Sequence, residues 1–284
     1  MSRISYINGS YIRKNKASVL LEDRALQFSD GVYEVMAISK SSILEWERHM
    51  HRLYRSLSSL EIKLPMKFSP LKLIVEEVIR LNKVNEGFAY IQINRGTDER
   101  NHIWKQNISP TLIVTTKPGN LLNFLQTNGV EVITLPDKRW KRCDIKSVSL
   151  LPNVLLKQKA HYMHAFECWM FDTLENITEG TSSNTFIIIN EKIITRPLSS
   201  EILGGINREI IIDIAISYGF SMETRNFSIS EAECADEAFQ TNTTSLIVPV
   251  VKINDTKIGN GRPGNITKKL QNIFFSRIFR KNQY

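Results

Sequence analysis

A single lysine stands in an unusual context in the segment RWKRCDIKSVSLLPNV, residues 139–154. Lys146 follows Ile145 and precedes small and apolar residues, in what reads as the end of a strand. Most lysines lie on exposed faces, where their charge is hydrated. Two interpretations are therefore open: a structural lysine whose ammonium group reaches solvent, or an amine that acts as a nucleophile or base.

A carboxylate stands in a second notable segment, ITEGTSSNTFIII, residues 177–189. Glu179 is followed by small hydroxyl and amide residues, among them Thr181 and Ser182, and then by an apolar strand. The pattern fits a polar turn before a strand. It also fits a carboxylate that points into a pocket ringed by hydroxyl groups.

Glycines precede a predicted helix in the segment LGGIN, residues 203–207. The free N–H groups and dipole of a helix start favour an anion, and glycine lets a ligand approach the backbone closely. The segment is neither a GxGxxG motif nor a Walker loop, so it does not indicate a dinucleotide or ATP. By itself, it is more typical of a simple turn than of a phosphate site.

Two further segments carry cationic side chains. In GTDERNH, residues 96–102, Arg100 and His102 are two positions apart, so in an extended loop they lie on the same side and could hold a carboxylate. In HRLYRS, residues 51–56, Arg52 and Arg55 lie on a predicted helix whose other face is apolar. Taken alone, each segment is typical of a solvated surface.

Together these groups match the requirements of a Schiff-base cofactor. A lysine amine forms an imine with an aldehyde, a carboxylate keeps a pyridine nitrogen protonated, and N–H donors bind a phosphate. The sequence has no Ser-His-Asp order, HExxH motif or EF-hand loop. Its cysteines, Cys143, Cys168 and Cys234, are scattered and form no CxxC motif, which argues against a disulfide framework and a structural metal.

The elements that must position these groups form two blocks. The first block predicts a hairpin at Asn8-Gly9 and a helix with Ser69 as N-cap and Pro70 at its first position, which runs to about Leu81. Its other predicted elements are a turn and strand over 28–38, a helix over 46–62, and the strands FAYIQINRG and TLIVTTK.

The second block follows a linker predicted at 119–129. Asn153 is predicted to cap a helix that runs to about Cys168, and Ser228 with Glu231 has the spacing of a capping box. The other predicted elements are strands at 130–135, 169–172, 184–195 and 237–242, a glycine turn that leads into an apolar helix within 203–220, and a helix over about 264–280. The pattern predicts an α+β protein with a small domain over 1–118 and a larger one over 130–284.

The sequence resembles the class IV, or fold-type IV, pyridoxal-phosphate aminotransferases, and most closely their bacterial D-amino acid (D-alanine) branch. The matching segments run in the same order along nearly the whole chain: EDRALQFSDGVYEV, HRLYRS, INRGTDERNH, RWKRCDIKSVSLLPNVLLKQKA, ITEGTSSNTF, ILGGINRE and TNTTSLIVPV. The resemblance implies a two-domain fold with the active site at the domain interface. It also implies pyridoxal 5'-phosphate as cofactor.

The resemblance further implies a role for each candidate residue. Lys146 would hold the cofactor covalently and move the proton during transamination. The implied cofactor-binding residues are, besides Lys146, the pyridine-nitrogen partner Glu179, Leu203 beside the ring, and Arg52, Ile206, Asn207 and Thr243 around the phosphate. The implied substrate-binding residues are Tyr33, Arg100, His102, Thr181 and Ser182.

In this family the counterparts of Arg100 and His102 reach in from the partner subunit, so the resemblance implies a homodimer. It implies D-alanine and other D-amino acids as amino donors and 2-oxoglutarate as acceptor, with pyruvate and D-glutamate as products. Two departures lie near the expected phosphate site. Asn207 stands where the family usually has Thr in GIT, and Asn242 stands in TNT where it often has TST.

The composition narrows the classes of protein function that fit this chain. The chain has 284 residues, 42% of them hydrophobic, a net charge of +8 and a pI of about 9.3. The charge raises a nucleic-acid-binding alternative, but the basic residues are scattered, which favours an enzyme that handles anionic ligands. The sequence shows no apolar membrane span and no leader, so we expect a cytoplasmic protein.

Other enzymes on the same scaffold stay open as alternatives: a branched-chain L-amino acid aminotransferase, an (R)-amine transaminase and an aminodeoxychorismate lyase. The pair Arg100 and His102, together with RCDIKS, favours the D-amino acid branch over these relatives.

Overall fold

In the computed structural model, which describes residues 3–120 and 128–280, the chain begins with the hairpin that the sequence predicts. Strands β1 (Ile4–Ile7) and β2 (Ser10–Arg13) are antiparallel. Asn8 and Gly9 join them with φ angles of 44° and 98°. Both angles are positive, as a tight hairpin turn requires, and Asn and Gly are the residues that tolerate them best.

The hairpin is the edge of an antiparallel sheet. Its further strands are β3 (Gly31–Ser39), β4 (Ser42–Ile43), β5 (Gly87–Asn94) and β6 (Thr111–Pro118), and the order of the six is β2-β1-β6-β5-β3-β4. The helices of this region are α1 (Arg24–Phe28), α2 (Trp46–Ser59) and α3 (Phe68–Asn82), with a short 3-10 turn at Lys14–Lys16. The strands predicted around 88–96 and 111–117 and the helix predicted over 46–62 are confirmed.

The core of this region lies between the sheet and the two helices α2 and α3. Alternate residues of β3, including Val32, Met36 and Ile38, are fully buried, as the two-residue period of a strand requires for one face. Met50 and Leu53 of α2 pack in the same cluster. Glu34 has the same parity as these β3 residues, so a carboxylate lies on the apolar face of the strand.

Helix α3 begins earlier than the sequence suggests. Its N-cap is Lys67 and carries no side-chain cap, so the prediction of Ser69 as N-cap is wrong. Pro70 lies in the first turn, where a missing N–H leaves no helical hydrogen bond unmade. The helix therefore extends over two residues that the capping argument excluded.

Lys146 does not end a strand but lies in a connecting segment that pairs with β3. The Tyr33 N–H donates to the Lys146 carbonyl oxygen at 3.0 Å, and the Val148 N–H donates to the Gly31 carbonyl at 3.0 Å. Val32 and Ser147 form an antiparallel bridge. The segment thus extends the sheet at the part of β3 that β4 leaves open.

These contacts determine how the chain divides. One unit comprises Met1–Leu121 together with Ile145–Ser149, and the other comprises Leu122–Asp144 together with Leu150–Tyr284. The sequence assigned residues 130–284 to one domain, whereas five residues around Lys146 group with the first unit. Residues 121–127 of the predicted linker lie outside the described part of the chain.

The second unit contains a larger mixed sheet. Its described strands are β7 (Val130–Pro136), β8 (Glu167–Phe171), β9 (Ile177–Gly180), β10 (Asn184–Ile189), β11 (Lys192–Thr195), β12 (Met222–Thr224), β13 (Glu237–Asn242), β14 (Leu246–Ile253) and β15 (Thr256–Lys257). The order is β12-β11-β10-β13-β14-β7-β8-β9, and β15 pairs with β14. The helices are α4 (Leu151–Tyr162), α5 (Ile206–Ser217), α6 (Ile229–Glu233) and α7 (Asn265–Arg280).

Two predictions in this unit are wrong in detail. The N-cap of α4 is Leu150, not Asn153, and the helix ends at Tyr162 rather than near Cys168, which belongs to β8. The strand predicted over 184–195 is a hairpin. Asn190 and Glu191 form its turn with φ angles of 49° and 61°, and a Glu in such a position gives little sequence signal.

The capping box of α6 is confirmed, since Ser228 and Glu231 each bond the other's backbone N–H. Among the described helices, none is both long enough and apolar enough to cross a membrane. Residues 3–120 and 128–280 contain no group of three or more His, Cys, Asp or Glu that could hold a metal ion.

Candidate active site

Lys146 is half-buried and faces an aromatic ring in the first unit. Its Nζ lies 4.4 Å from the centroid of the Tyr33 ring. Its backbone N–H donates to Ser56 Oγ on α2 at 3.2 Å, and its carbonyl is bonded by Tyr33. The structure therefore brings together two predicted site residues, Lys146 and Tyr33, and fixes the backbone of the lysine from two sides.

Arg52 is buried, whereas its neighbour Arg55 is exposed. Arg52 Nε donates to Glu34 Oε1 at 2.7 Å and its Nη2 donates to Glu34 Oε2 at 2.8 Å. His49 Nδ1 is 2.7 Å from the same Oε2. The interpretation of Arg52 as part of a solvated helix face is wrong, because this arginine is one member of a buried charged cluster.

The charge states within this cluster follow from its contacts. Burial opposes ionisation of Glu34, but the Arg52 charge and its hydrogen bonds outweigh burial and hold the pKa of that carboxyl well below its usual range. Burial lowers the pKa of His49, against the opposing attraction of Glu34. A neutral imidazole beside an ionised carboxylate must carry its proton on Nδ1, so His49 donates to Glu34.

Arg100 and His102 lie on an exposed loop of the first unit and contact one ring. The Arg100 guanidinium carbon is 4.8 Å from the centroid of the Phe28 ring, and the His102 ring meets Phe28 edge-on at 5.5 Å. Arg24 is buried and donates to the Asn101 and His102 carbonyls. Both candidate carboxylate-binding side chains therefore contact Phe28, and their role toward a carboxylate stays a prediction.

Glu179 is a buried carboxylate in the second unit, and it contacts a second candidate residue directly. Its Oε2 accepts from the Leu203 N–H at 3.1 Å and from Asn184 Nδ2 at 3.0 Å. The same amide group donates to the Leu203 carbonyl at 2.8 Å. Asn184 thus holds Glu179 and Leu203 side by side, and Gly205 leaves room for it, because a Cβ there would lie 2.0 Å from Asn184 Oδ1.

Arg139 contacts Glu179 directly and is one of the residues that the sequence analysis missed. Its Nη1 donates to Glu179 Oε1 at 2.5 Å, and its Nη2 donates to Asp137 Oδ2 at 2.7 Å. One guanidinium therefore donates hydrogen bonds to two carboxylates. Asp137, which Thr178 also bonds, has a lowered pKa despite burial, chiefly because of Arg139.

Glu179 provides a test of whether a cationic cofactor fits. Burial raises the pKa of its carboxyl, and the shared charge of Arg139 offsets that effect only in part. A second cation beside Glu179 would favour the ionised carboxylate. The protonated ring nitrogen of pyridoxal 5'-phosphate is such a cation, so this part of the site fits the cofactor that the resemblance implies.

The start of α5 fits a phosphate in part. Gly205 is its N-cap, and no side-chain cap hydrogen bond is made there within the described chain. Ile206 and Asn207 begin the helix, whose first N–H groups have no helical acceptor. The Asn207 side chain donates through Nδ2 to the Asn242 carbonyl at 2.7 Å, so it connects α5 with the turn that contains Thr243.

Thr181 and Ser182 contact another residue that the sequence analysis missed. Thr181 Oγ1 donates to Glu167 Oε1 at 2.5 Å, and Ser182 Oγ donates to Glu167 Oε2 at 2.9 Å. Glu167 is fully buried on β8. The hydroxyl protons of both candidates are thereby directed to a carboxylate, which leaves their oxygen lone pairs for any further contact.

Some of the missed residues had a usable signal in the sequence. Glu34 stands at a buried parity within GVYEVMAIS, so strand alternation alone places it on the core face. Asn153, by contrast, donates to the Thr181 carbonyl at 2.8 Å, a contact across 28 residues that no local capping rule includes. Nothing in the run RWKR distinguishes Arg139 from the arginine and lysine that follow it.

Comparison with known proteins connects this geometry to a family. The model of the family described as "Amino-transferase class IV" matches residues 31–253. A D-alanine aminotransferase of Bacillus licheniformis is 38% identical over 265 residues, which is 93% of each chain. A D-alanine aminotransferase of Listeria monocytogenes serotype 4b is 35% identical over 277 residues, which is 96% of this chain and 95% of that protein.

Solved structures share the fold. The Escherichia coli branched-chain amino acid aminotransferase superposes with a TM-score of 0.91 at 23% identity, over 98% of this chain and 95% of that one. The branched-chain enzyme of Thermoproteus uzoniensis, solved with norvaline, superposes with a TM-score of 0.89 at 22% identity, over 100% and 97%. At these identities the likeness shows the two-domain fold and not the substrate.

Proposed function

The chain belongs to the class IV aminotransferases, and from that premise we propose that it is a D-amino acid transaminase. It transfers an amino group from D-alanine, or another D-amino acid, to 2-oxoglutarate, and the products are pyruvate and D-glutamate. The observation that carries this proposal is similarity over 93% or more of the chain to D-alanine aminotransferases at 35–38% identity. The cofactor of this family is pyridoxal 5'-phosphate.

Lys146 is the covalent anchor and the proton carrier. Bound pyridoxal 5'-phosphate supplies an electron sink that stabilises the carbanion left when the substrate Cα–H bond breaks. Ser56 and Tyr33 hold the backbone of Lys146, so its side-chain amine needs no diffusive encounter to take and return that proton. Oriented groups of this kind can lower a barrier by roughly 7–11 kcal/mol.

Glu179 holds the ring nitrogen protonated. The carboxylate is fixed by Arg139, Asn184 and the Leu203 N–H, so it cannot turn away from a partner. Its raised pKa gives it the proton affinity that a shared hydrogen bond with a ring N–H needs. The Leu203 side chain would lie against the ring when the cofactor is bound.

Arg52, the start of α5 and Thr243 bind the phosphate. Arg52 supplies a fixed positive charge, and Ile206 and Asn207 supply backbone N–H groups. The two asparagines that depart from the family pattern, Asn207 and Asn242, are compatible with a phosphate site. The Asn207 side chain bonds the Asn242 carbonyl and so joins the start of α5 to the turn that contains Thr243.

Arg100 and His102 bind the substrate α-carboxylate, and Tyr33, Thr181 and Ser182 complete the substrate site. As in the family, Arg100 and His102 act in the partner subunit's site, so the enzyme works as a homodimer. Fixing the carboxylate determines which enantiomer presents its hydrogen to Lys146. The proposal includes a cytoplasmic location, as the scattered cysteines suggest.

An enantiomer-resolved donor screen with 2-oxoglutarate tests the proposal. The purified protein with its cofactor is offered D- and L-alanine, D- and L-leucine and an (R)-amine, and product formation is followed for each. We expect D-alanine to be the best donor by at least tenfold. Preference for L-leucine would indicate a branched-chain enzyme, and preference for the amine would indicate an (R)-amine transaminase.

A further inference from the structure

We propose that Glu34 and His49 are positioning residues that fix the orientation of Arg52 for the cofactor phosphate. The proposal rests on the proposed function only in assigning Arg52 to the phosphate. Neither Glu34 nor His49 belongs to the groups discussed above as ligands of the cofactor or substrate. They act through Arg52.

The geometry of the cluster leaves Arg52 little freedom. Glu34 accepts from both Nε and Nη2 of Arg52, at 2.7 and 2.8 Å, so two of the five guanidinium N–H groups are held in one plane. Glu34 has no exposed surface, and the Arg52 side chain is 5% exposed. Side-on pairing of this kind fixes both the position and the plane of the guanidinium.

His49 fixes the carboxylate in turn. Its Nδ1 donates to Glu34 Oε2 at 2.7 Å, the oxygen that also accepts from Arg52 Nη2. His49 and Arg52 are three residues apart on α2, so both project from one face of the helix toward β3. Glu34 therefore cannot rotate away from Arg52 without breaking the contact with His49.

A purely structural explanation of the cluster is weak. Glu34 lies at the same strand parity as Val32, Met36 and Ile38, all fully buried, so an apolar side chain would suit the position. Replacing a buried ion pair by apolar residues is often neutral or stabilising, so burial stability alone does not explain the pair. A cation fixed on a rigid element is what recognition of a phosphate requires.

The cluster is also connected to the covalent anchor. Ser56 lies one turn beyond Arg52 on α2 and accepts the backbone N–H of Lys146 at 3.2 Å. Lys146 is near enough to His49 to contribute to the lowering of the His49 pKa. Helix α2 thus carries Arg52 and a contact to Lys146 on the same buried face, which keeps the two groups in a fixed relation.

Affinity for two forms of the cofactor tests the proposal without an amino donor. The apoprotein is titrated with pyridoxal 5'-phosphate and with pyridoxal, which lacks the phosphate. We expect Glu34→Gln to raise the Kd for pyridoxal 5'-phosphate at least tenfold and the Kd for pyridoxal less than twofold. Glu47→Gln, on the exposed face of the same helix, should change neither Kd.

A second pair of variants tests the proposal even if Glu34→Gln does not fold. His49→Leu removes the donor to Glu34, and His49→Asn keeps a donor at similar reach. We expect a phosphate-selective loss of at least threefold in His49→Leu and its recovery in His49→Asn. Equal losses for both ligands, or no loss for either, would overturn the proposal.

The result is separate from the test of the proposed function. A chain that prefers L-amino acids or amines would still show the phosphate-selective loss, because no substrate takes part in the titration. Conversely, an active D-alanine transaminase whose Glu34 and His49 variants bind both ligands normally would refute only the positioning role.

Discussion

Lys146 is the residue on which the proposed activity depends most directly. Lys146→Ala should abolish turnover, because the change removes both the covalent anchor and the proton carrier. Borohydride reduction in the presence of cofactor, followed by peptide mapping, should label Lys146 in the native protein and no single lysine in the variant. A reducible adduct at another lysine would assign the role elsewhere.

Replacing Glu179 should change the protonation of the cofactor ring and leave the fold intact. Glu179→Gln keeps the shape of the side chain but removes the negative charge, so the ring nitrogen is no longer held protonated. We expect a folded protein that binds cofactor and loses at least about a hundredfold in kcat. Glu175→Gln, an exposed change four residues earlier, should leave kcat unaltered. If circular dichroism showed Glu179→Gln to be unfolded, the carboxylate would have a structural role at β9.

Replacing Arg100 should weaken the binding of substrates that carry a carboxylate. Loss of a charge-assisted hydrogen bond typically costs about 1.5–3 kcal/mol, and about 1.4 kcal/mol is a factor of ten. Arg100→Ala should therefore raise the KM for D-alanine at least tenfold and change the KM for a simple amine much less. Equal loss for both donors would instead indicate a folding or assembly defect, and no loss for D-alanine would remove the main reason to prefer the D-amino acid branch.

At the scale of elements, α2 has two functions at once. One set of its buried residues, including Met50 and Leu53, joins the apolar core of the first unit. Another buried set, His49, Arg52 and Ser56, follows a spacing of three and four residues and forms the polar contacts described above. The helix therefore couples packing of the core to the orientation of Arg52, the proposed phosphate ligand.

The capping box of α6 gives a prediction about stability alone. Ser228 Oγ accepts from the Glu231 N–H at 3.1 Å, and Glu231 Oε2 accepts from the Ser228 N–H at 3.1 Å. Ser228→Ala should lower the free energy of unfolding by about 0.5–2 kcal/mol. Ser230→Ala, an exposed change within the same helix, is the matched control and should cost less in a urea titration. Equal effects would show that the cap does not stabilise the helix measurably.

At the scale of the whole molecule, part of the positive charge is internal. At least five arginines are buried: Arg24, Arg52, Arg95, Arg196 and Arg208. Several of them pair with carboxylates, as Arg24 and Arg95 both do with Asp30. Buried carboxylates, among them Asp23, Glu34, Glu167 and Glu179, offset most of this internal positive charge, so the net charge of +8 is carried mainly by the rest of the protein.

The buried pair of Glu34 and Arg52 should make stability depend on pH in acid. The Glu34 pKa is depressed in the folded protein, so its contribution is complete above the unfolded value of about 4.3 and is lost as pH falls toward the folded value. For the apoprotein we expect Glu34→Gln to cost about 3–5 kcal/mol at neutral pH. That difference should shrink by up to about 1.4 kcal/mol per pH unit below about pH 4.

Urea titrations of both proteins between about pH 3 and 7 measure this difference. Using the difference between two proteins removes the contribution of every other carboxylate that titrates equally in both. A difference that stayed constant into acid, or grew there, would contradict the assigned ionisation of Glu34.

Local rules of sequence determined much of the fold. The Asn8-Gly9 turn, the α2 spacing and the α6 capping box depend on residues within one element, so a short segment contains all the information needed. The family and its cofactor also followed from the sequence, because ordered segments spread over nearly the whole chain carry them.

Only the tertiary structure decided which partners the candidate residues have. It assigned Lys146 to the first unit, paired Glu34 with Arg52 and His49, and placed Arg139 against Glu179. These partners are 15 to 40 residues apart in the chain. No periodicity or capping rule reaches that far. A buried charge is stabilised by whichever opposite charge the packing brings to it, and packing is a property of the whole fold.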